Sequence, residues 1–213
     1  MIRVVIADDH TIVREGLRRI LLGQEDIEIA GEATNGHEVM ERVRAGGFDL
    51  LLMDLSMPGK SGVELIKQVK DEKPKLPVLV LTMHEEEQYA LRSIRAGASG
   101  YLTKESATEQ LVAAIRKIAS GRLYISPNVA EQLALDVMPH GNEDAPPHRQ
   151  LSDREFEVFR LLVEGKSVTE IGTQLHLSVK TVSTHKTRVL EKLRITSIAE
   201  LVRYAMAHQL FPQ

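Results

Sequence analysis

The sequence predicts an α/β domain of five βα units around a five-stranded parallel sheet, followed by a smaller all-helical domain. Three observations carry this. Through the first 120 residues, short apolar runs alternate with helical periodicity, the pattern of parallel strands joined by helical crossovers. Polar residues follow those runs: Asp8 and Asp9 after the run at 4–7, Asp54 after 50–53, Thr82 after 78–81, and Lys104 shortly after 100–102. After Gly121 the alternation stops, and from Leu151 onward only helical periods remain.

Taken in order, strands are expected at 3–7, 28–33, 49–53, 78–82 and 99–102, with helices between them. Val13, Leu17, Ile20 and Leu21 make one apolar stripe on the first helix, and Leu111, Ile115 and Ile118 repeat it on the fifth. Ser61 with Glu64, and Ser106 with Glu109, have the spacing of capping boxes that open helices. Pro58-Gly59, Lys73-Pro74 and Gly97 punctuate the elements. Ser126 and Pro127 begin a short helix running to about 138. The stretch 139–148 has almost nothing to bury and should be an exposed linker, extended near Pro146 and Pro147. A third capping box, Ser152 with Glu155, opens a helix with Phe156, Phe159, Leu162 and Val163 inward. A second helix covers 167–175, and His176 and Leu177 make a tight turn. Ser178 caps a third helix to 193, and a fourth covers 198–207 with Ile198, Leu201, Val202, Ala205 and Met206 on one stripe. Two short helices joined by a brief turn, the second one basic, read as helix-turn-helix. The resulting division is 1–122, a linker with a short helix at 123–148, and 149–213.

Composition narrows the function classes. There is no cysteine, which excludes disulfides and thiolate metal sites and is compatible with a cytoplasmic protein. No apolar run approaches the ~18 residues of a membrane span, so no membrane association is expected, and no secretory signal is visible. Charge is uneven: 151–213 holds nine Lys and Arg against seven Asp and Glu, while the first 150 residues are net acidic. Between Ser178 and Arg194, five basic residues face Glu191 alone. A basic helix on an acidic body suggests a polyanion partner, although on charge alone a solvated charged face is the favoured reading.

In a parallel sheet the carboxyl ends of the strands share one edge, where ligands bind. Asp8, Asp9, Asp54, Thr82 and Lys104 would meet there. Of two adjacent carboxylates, one can ligate a hard cation while the other acts through water or orients its neighbour. Mg²⁺ takes one or two protein carboxylates plus phosphate oxygens. Asp9 and Asp54 would supply those, with Asp8 beside them and the backbone carbonyl of Ser56 as a neutral ligand. Asp54 is then the carboxylate nucleophile that accepts a phosphoryl group, and Lys104 and the Thr82 hydroxyl meet its oxygens.

These motifs carry a resemblance. Residues 1–120 resemble a response-regulator receiver domain through Asp8-Asp9, Met53-Asp54 with Pro58-Gly59, Leu81-Thr82 and Tyr101 to Lys104. Residues 151–210 resemble a LuxR-type helix-turn-helix through Leu151 to Glu155, Glu170-Ile171, and Ser178 to His185 with Lys192-Leu193. Together they are similar to the NarL/FixJ family of two-component regulators. The resemblance implies a flavodoxin-like sheet of order 2-1-3-4-5, a sensor histidine kinase as phosphoryl donor to Asp54, and Thr82 and Tyr101 as switch residues. It further implies a homodimer on phosphorylation and double-stranded promoter DNA as partner. Two positions depart from the family. Glu105 follows Lys104 where receivers often have proline, and Gly172 stands where the family usually has alanine.

On the third helix of the C-terminal half, Val179, Val182, Val189 and Leu193 are expected inward, with His185 half buried. Lys180, Ser183, Thr184, Thr187 and Arg188 line the other face. The resemblance assigns base reading to Ser183, Thr184 and Thr187, phosphate contact to Lys180, Lys186 and Arg188, and a place in the interface to Thr181. With few bidentate base readers, selectivity leans on DNA shape. Two other readings stand beside a phosphorylation-gated regulator. One is a constitutive DNA binder whose receiver serves dimerisation. The other is a small phosphatase, which usually needs a second acid where this chain has Ser56.

Overall fold

Five strands form one parallel sheet in the order β2-β1-β3-β4-β5. They are β1 (Ile2–Ala7), β2 (Ile27–Ala33), β3 (Leu50–Asp54), β4 (Val78–Thr82) and β5 (Gly100–Thr103). The helices α1 (Thr11–Leu22), α2 (Gly36–Ala45), α3 (Gly62–Glu72), α4 (Glu87–Arg95) and α5 (Ala107–Ala119) alternate with them. The computed structural model describes residues 1–57, 62–83, 87–137, 146–208 and 210–211. The chain forms two compact units, Met1–Gln132 and Leu133–Gln213. The expected box at Ser61 and Glu64, the Pro58-Gly59 turn and most of the 139–148 linker lie outside the described residues in whole or in part.

The near-continuous apolar runs of β3 and β4 have a direct cause: both strands are buried along their whole length. A parallel sheet is covered on two faces, so its inner strands need apolar side chains on both. On one face Val4, Ile6, Leu50, Leu52, Leu79 and Leu81 pack against Leu17 and Leu21 of α1 and Leu111, Ile115 and Ile118 of α5. Each such side chain contributes roughly 1.5–3 kcal/mol by leaving water. Gly100 is required by packing: a Cβ there would lie 2.9 Å from the Tyr124 carbonyl and 2.7 Å from Ile118. The chain after α5 runs along β5, with the Tyr101 amide donating to the Tyr124 carbonyl at 3.1 Å. No cis peptide bond occurs among the described residues.

The Ser106–Glu109 capping box does not form; Ser106 makes no side-chain cap. Instead the Thr103 hydroxyl accepts the Ser106 amide at 3.2 Å and lies 2.8 Å from the Ser106 hydroxyl. A turn leaving β5 thus takes the side chain that would have capped α5.

After α6 (Pro127–Val137) and a 3-10 turn at Pro147–Gln150 come α7 (Asp153–Val163), α8 (Val168–Leu175), α9 (Val179–Leu193) and α10 (Ile198–Ala207). Capping boxes open α7, at Ser152 and Glu155, and α8, at Ser167 and Glu170. Phe156, Phe159, Ile171, Val182, Val189 and Leu201 are the buried centre of the helical unit. Two expectations change here. His148 is buried rather than part of an exposed linker, and its ring Nδ1 lies 3.0 Å from the Tyr204 hydroxyl. Val179 and Met206 are about half exposed rather than inward. Among the described residues no helix is long and apolar enough to cross a membrane.

Candidate metal centre and nucleic-acid interface

Strand register builds the first site. Ala7 lies opposite Met53, so Asp8 and Asp54 leave the sheet side by side. Asp54 lies opposite Leu81, and Thr82 opposite Thr103. The Lys104 amide then donates to the Thr82 carbonyl at 2.7 Å, fixing the start of the last loop. Asp8, Asp54 and Thr82 are all buried at this rim. Lys104 Nζ lies 2.6 Å from Asp8 Oδ2 and 2.8 Å from Asp54 Oδ2, a bridge between the two carboxylates. Asp54 Oδ1 accepts the Ser56 amide at 3.1 Å, which folds residues 54–56 back over the site. Asp8 Oδ1 accepts the His10 amide at 2.8 Å. Tyr101 sits half buried on β5, opposite Val80.

Electrostatics explain what the cluster needs. Burial pushes the Asp54 carboxyl above its ordinary range, and the Lys104 hydrogen bond only partly opposes this. Burial also works against the Lys104 ammonium, but its contacts with Asp54 and Asp8 outweigh that and raise it. One ammonium cannot neutralise three carboxylates. Ligand atoms of Asp8, Asp9, His10 and Asp54 all lie within 4.8 Å of one another. Asp9 Oδ1 is shielded from solvent and receives no hydrogen bond, with the His10 ring 3.0 Å away. Surplus negative charge and an unsatisfied oxygen in a set of hard donors fit a divalent cation such as Mg²⁺.

Two residues here escape a reading by strand ends. His10 brings its ring Nδ1 within 3.3 Å of Asp8 Oδ1 as well as near Asp9. Its only sequence signal is that it directly follows the acidic pair. Arg14, on α1, donates to the Asp8 carbonyl at 2.8 Å, and nothing in the helical periodicity marks it.

In the helical unit, His176 takes a left-handed conformation (φ 53°) that ends α8, and Ser178 caps α9. Gly172 permits this turn: a Cβ would meet the Leu177 carbonyl at 2.9 Å. Lys180, Ser183, Thr184, Thr187 and Arg188 share one exposed face of α9. Lys186 and Thr181 stand half buried at its margins, and the Thr181 hydroxyl lies 2.7 Å from that of Ser178. Thr184 and Thr187 donate their hydroxyls back to the carbonyls of Lys180 and Ser183, leaving oxygen lone pairs and methyl groups outward. Lys192 is committed elsewhere: its Nζ lies 2.6 Å from Oε2 of buried Glu155, the capping residue of α7. The basic count along this helix therefore overstates the charge available to a partner.

Residues 4–116 match the response regulator receiver domain, and residues 149–205 match the bacterial regulatory proteins of the luxR family. The chain belongs to the NarL/FixJ family of response regulators. This response regulator is 38% identical over 211 residues to response regulator UvrY of Escherichia coli K12, covering 99% of this chain and 96% of UvrY. It is 39% identical over 213 residues to the oxygen regulatory protein NreC of Staphylococcus carnosus, covering 98% of each. Among solved structures, RcsB of Salmonella typhimurium aligns over 97% of both chains with a TM-score of 0.74 and 30% identity. RcsB has also been solved bound to the rprA promoter with the phosphomimetic BeF3⁻, and that structure aligns with a TM-score of 0.69 and 29% identity over 95% of this chain and 97% of RcsB. The sheet order of the regulator agrees with its resemblance to a flavodoxin-like receiver. It is a two-component regulator of transcription with a DNA-binding helix-turn-helix, and not a turnover enzyme.

Proposed function

We propose that this response regulator accepts a phosphoryl group on Asp54 from a sensor histidine kinase, and that phosphorylation controls its dimerisation and its binding to promoter DNA. One observation carries the reading: buried Lys104 bridges buried Asp8 and Asp54 at the sheet rim. Asp8, Asp9, Asp54 and the Ser56 carbonyl would hold Mg²⁺, which supplies charge neutralisation as the phosphoryl group arrives. An Asp54 oxygen forms the bond to phosphorus as the P–N bond to the donor imidazole breaks. Lys104 transfers its hydrogen bonds from the carboxylates to the phosphoryl oxygens. Thr82, one strand away from Asp54, offers its hydroxyl to the same oxygens, and Tyr101 on the adjoining strand follows it inward. The receiver is assigned to 1–122, the linker with its helix to 123–148, and the DNA-binding part to 149–213.

On α9, Ser183, Thr184 and Thr187 would read base edges, Thr181 would border them, and Lys180, Lys186 and Arg188 would contact phosphates. Kinase-dependent signalling of this kind places the protein in the cytoplasm. Asp54→Asn should abolish labelling of the full chain by a radiolabelled small phosphodonor in Mg²⁺. A variant labelled as fully as wild type would assign the acceptor elsewhere.

A further inference from the structure

The geometry points to Arg14 as a positioning residue for the metal-binding carboxylates, one that acts through the main chain of Asp8. This rests on the reading of the acidic cluster as a Mg²⁺ site. Arg14 lies on α1 with its side chain only 12% exposed. Its Nη1 donates to the Asp8 carbonyl at 2.8 Å, and its Nε donates to Glu32 Oε2 of β2 at 3.0 Å. Its Nη2 reaches the Thr11 hydroxyl at 3.4 Å. Glu32 is held in turn by Arg18. The Asp8 amide donates to the Ala33 carbonyl at 3.1 Å. Both polar atoms of the Asp8 backbone are thus tied to β2, one directly and one through the guanidinium.

The orientation of the peptide between Asp8 and Asp9 sets where the Asp9 side chain leaves the loop. The Asp8 carboxylate has anchors of its own in Lys104 and the His10 amide. Asp9 is held less firmly: its Oδ1 receives no hydrogen bond, the ring that lies 3.0 Å from it belongs to exposed His10, and its own side chain is 29% exposed. Asp9 is therefore the ligand whose placement depends most on a fixed peptide plane. Arg14 supplies that fixation from outside the ligand shell, without touching metal or phosphate. A guanidinium suits this task because its planar fork reaches two acceptors in fixed directions, which a lysine ammonium on a flexible stem does less well.

The test is Mg²⁺ affinity of the full chain, measured by competition against Mn²⁺ followed by electron paramagnetic resonance. Loss of a group that orients a metal ligand typically costs about 10–100-fold in affinity. Arg14→Ala is expected to weaken binding by at least the lower end of that range, and Arg14→Lys to recover part of it. Arg18→Ala shares the Glu32 partner but does not touch Asp8, and should bind as wild type does. Thermal unfolding of the metal-free proteins should fall for both alanine variants, so the split in affinity separates positioning from general stabilisation. Wild-type affinity in Arg14→Ala, or equal weakening in Arg14→Ala and Arg18→Ala, would overturn the inference. Should Arg14→Ala not fold, Glu32→Gln removes the ionic anchor while keeping the guanidinium. It should weaken Mg²⁺ binding, and unchanged affinity would again overturn the inference. A wild-type chain that does not bind Mg²⁺ at all would overturn the metal-site reading itself, and this inference with it.

Discussion

Asp8, Asp9 and Asp54 crowd three carboxylates together while the Lys104 ammonium bridges only Asp8 and Asp54, so the metal-free site is held against its own repulsion. Like charges at these separations cost of order 1 kcal/mol or more when partly buried. Asp9→Asn is therefore expected to raise the melting temperature of the metal-free protein and to abolish the further rise that Mg²⁺ gives wild type. A lower melting temperature in Asp9→Asn would mean that the repulsion is already relieved. The placement of these residues was legible because each ends an apolar run, and register carries every run to one rim. His10 and Arg14 were not legible in that way, because their contacts depend on the path of the loop after β1. His185 supplies a second case. Burial holds its imidazole below the usual histidine range, with Arg188 and Arg154 adding to the effect and Glu155 opposing it. A histidine lowered on folding contributes stability above its unfolded pKa, and that stability is lost as pH falls through the folded pKa. Unfolding in urea should show the helical unit weaker at pH 5 than at pH 7, and His185→Gln should lose that share of the pH dependence. An identical pH dependence in the variant would assign it to other groups.

Whole elements are legible in the sequence where burial dictates the pattern and less so where a side chain has two possible partners. Ser152 with Glu155 and Ser106 with Glu109 share one spacing, yet only the first closes a capping box. The difference lies in Thr103, whose hydroxyl engages Ser106 from the preceding turn. That competition exists only once β5 and α5 are joined. The Ser167 and Glu170 box was present in the sequence with the same spacing and opens α8. His148 escapes a local reading for a related reason: buried, it meets the Tyr204 hydroxyl, 56 residues later. Gly172 is the sharpest test at this scale. Alanine in a helix interior gains about 1 kcal/mol over glycine, but here its Cβ would press on a main-chain carbonyl at 2.9 Å. Overpacking against a backbone that cannot rotate away costs typically 1–3 kcal/mol. Gly172→Ala should lower the urea midpoint of the helical unit, whereas a raised midpoint would show that the turn between α8 and α9 yields freely.

At the scale of the whole molecule, the proposed function gives signal reception to the acidic first part and DNA contact to the exposed basic face of α9. Lys192 is tied to Glu155, and the phosphate contacts proposed for each chain are Lys180, Lys186 and Arg188. Counterion release then predicts a slope of log affinity against log salt of about −3 for one bound chain and about −5 for two. That slope reads dimerisation and DNA contact in one measurement. Phosphodonor and Mg²⁺ should move wild type from the shallow slope toward the steep one and tighten binding, while Asp54→Asn stays shallow. Lys180→Ala should reduce the slope by about one for each bound chain, with or without phosphodonor. A nearly complete shift between the two forms needs ~5.5 kcal/mol of differential stabilisation by the phosphoryl group. If affinity and slope are the same with and without phosphodonor, the coupling is absent, and the receiver serves dimerisation or protein docking beside a constitutive DNA-binding domain. A steep slope already present without phosphodonor, joined to a further gain in affinity on adding it, would instead locate the switch after dimerisation, in how the two recognition helices are presented to DNA.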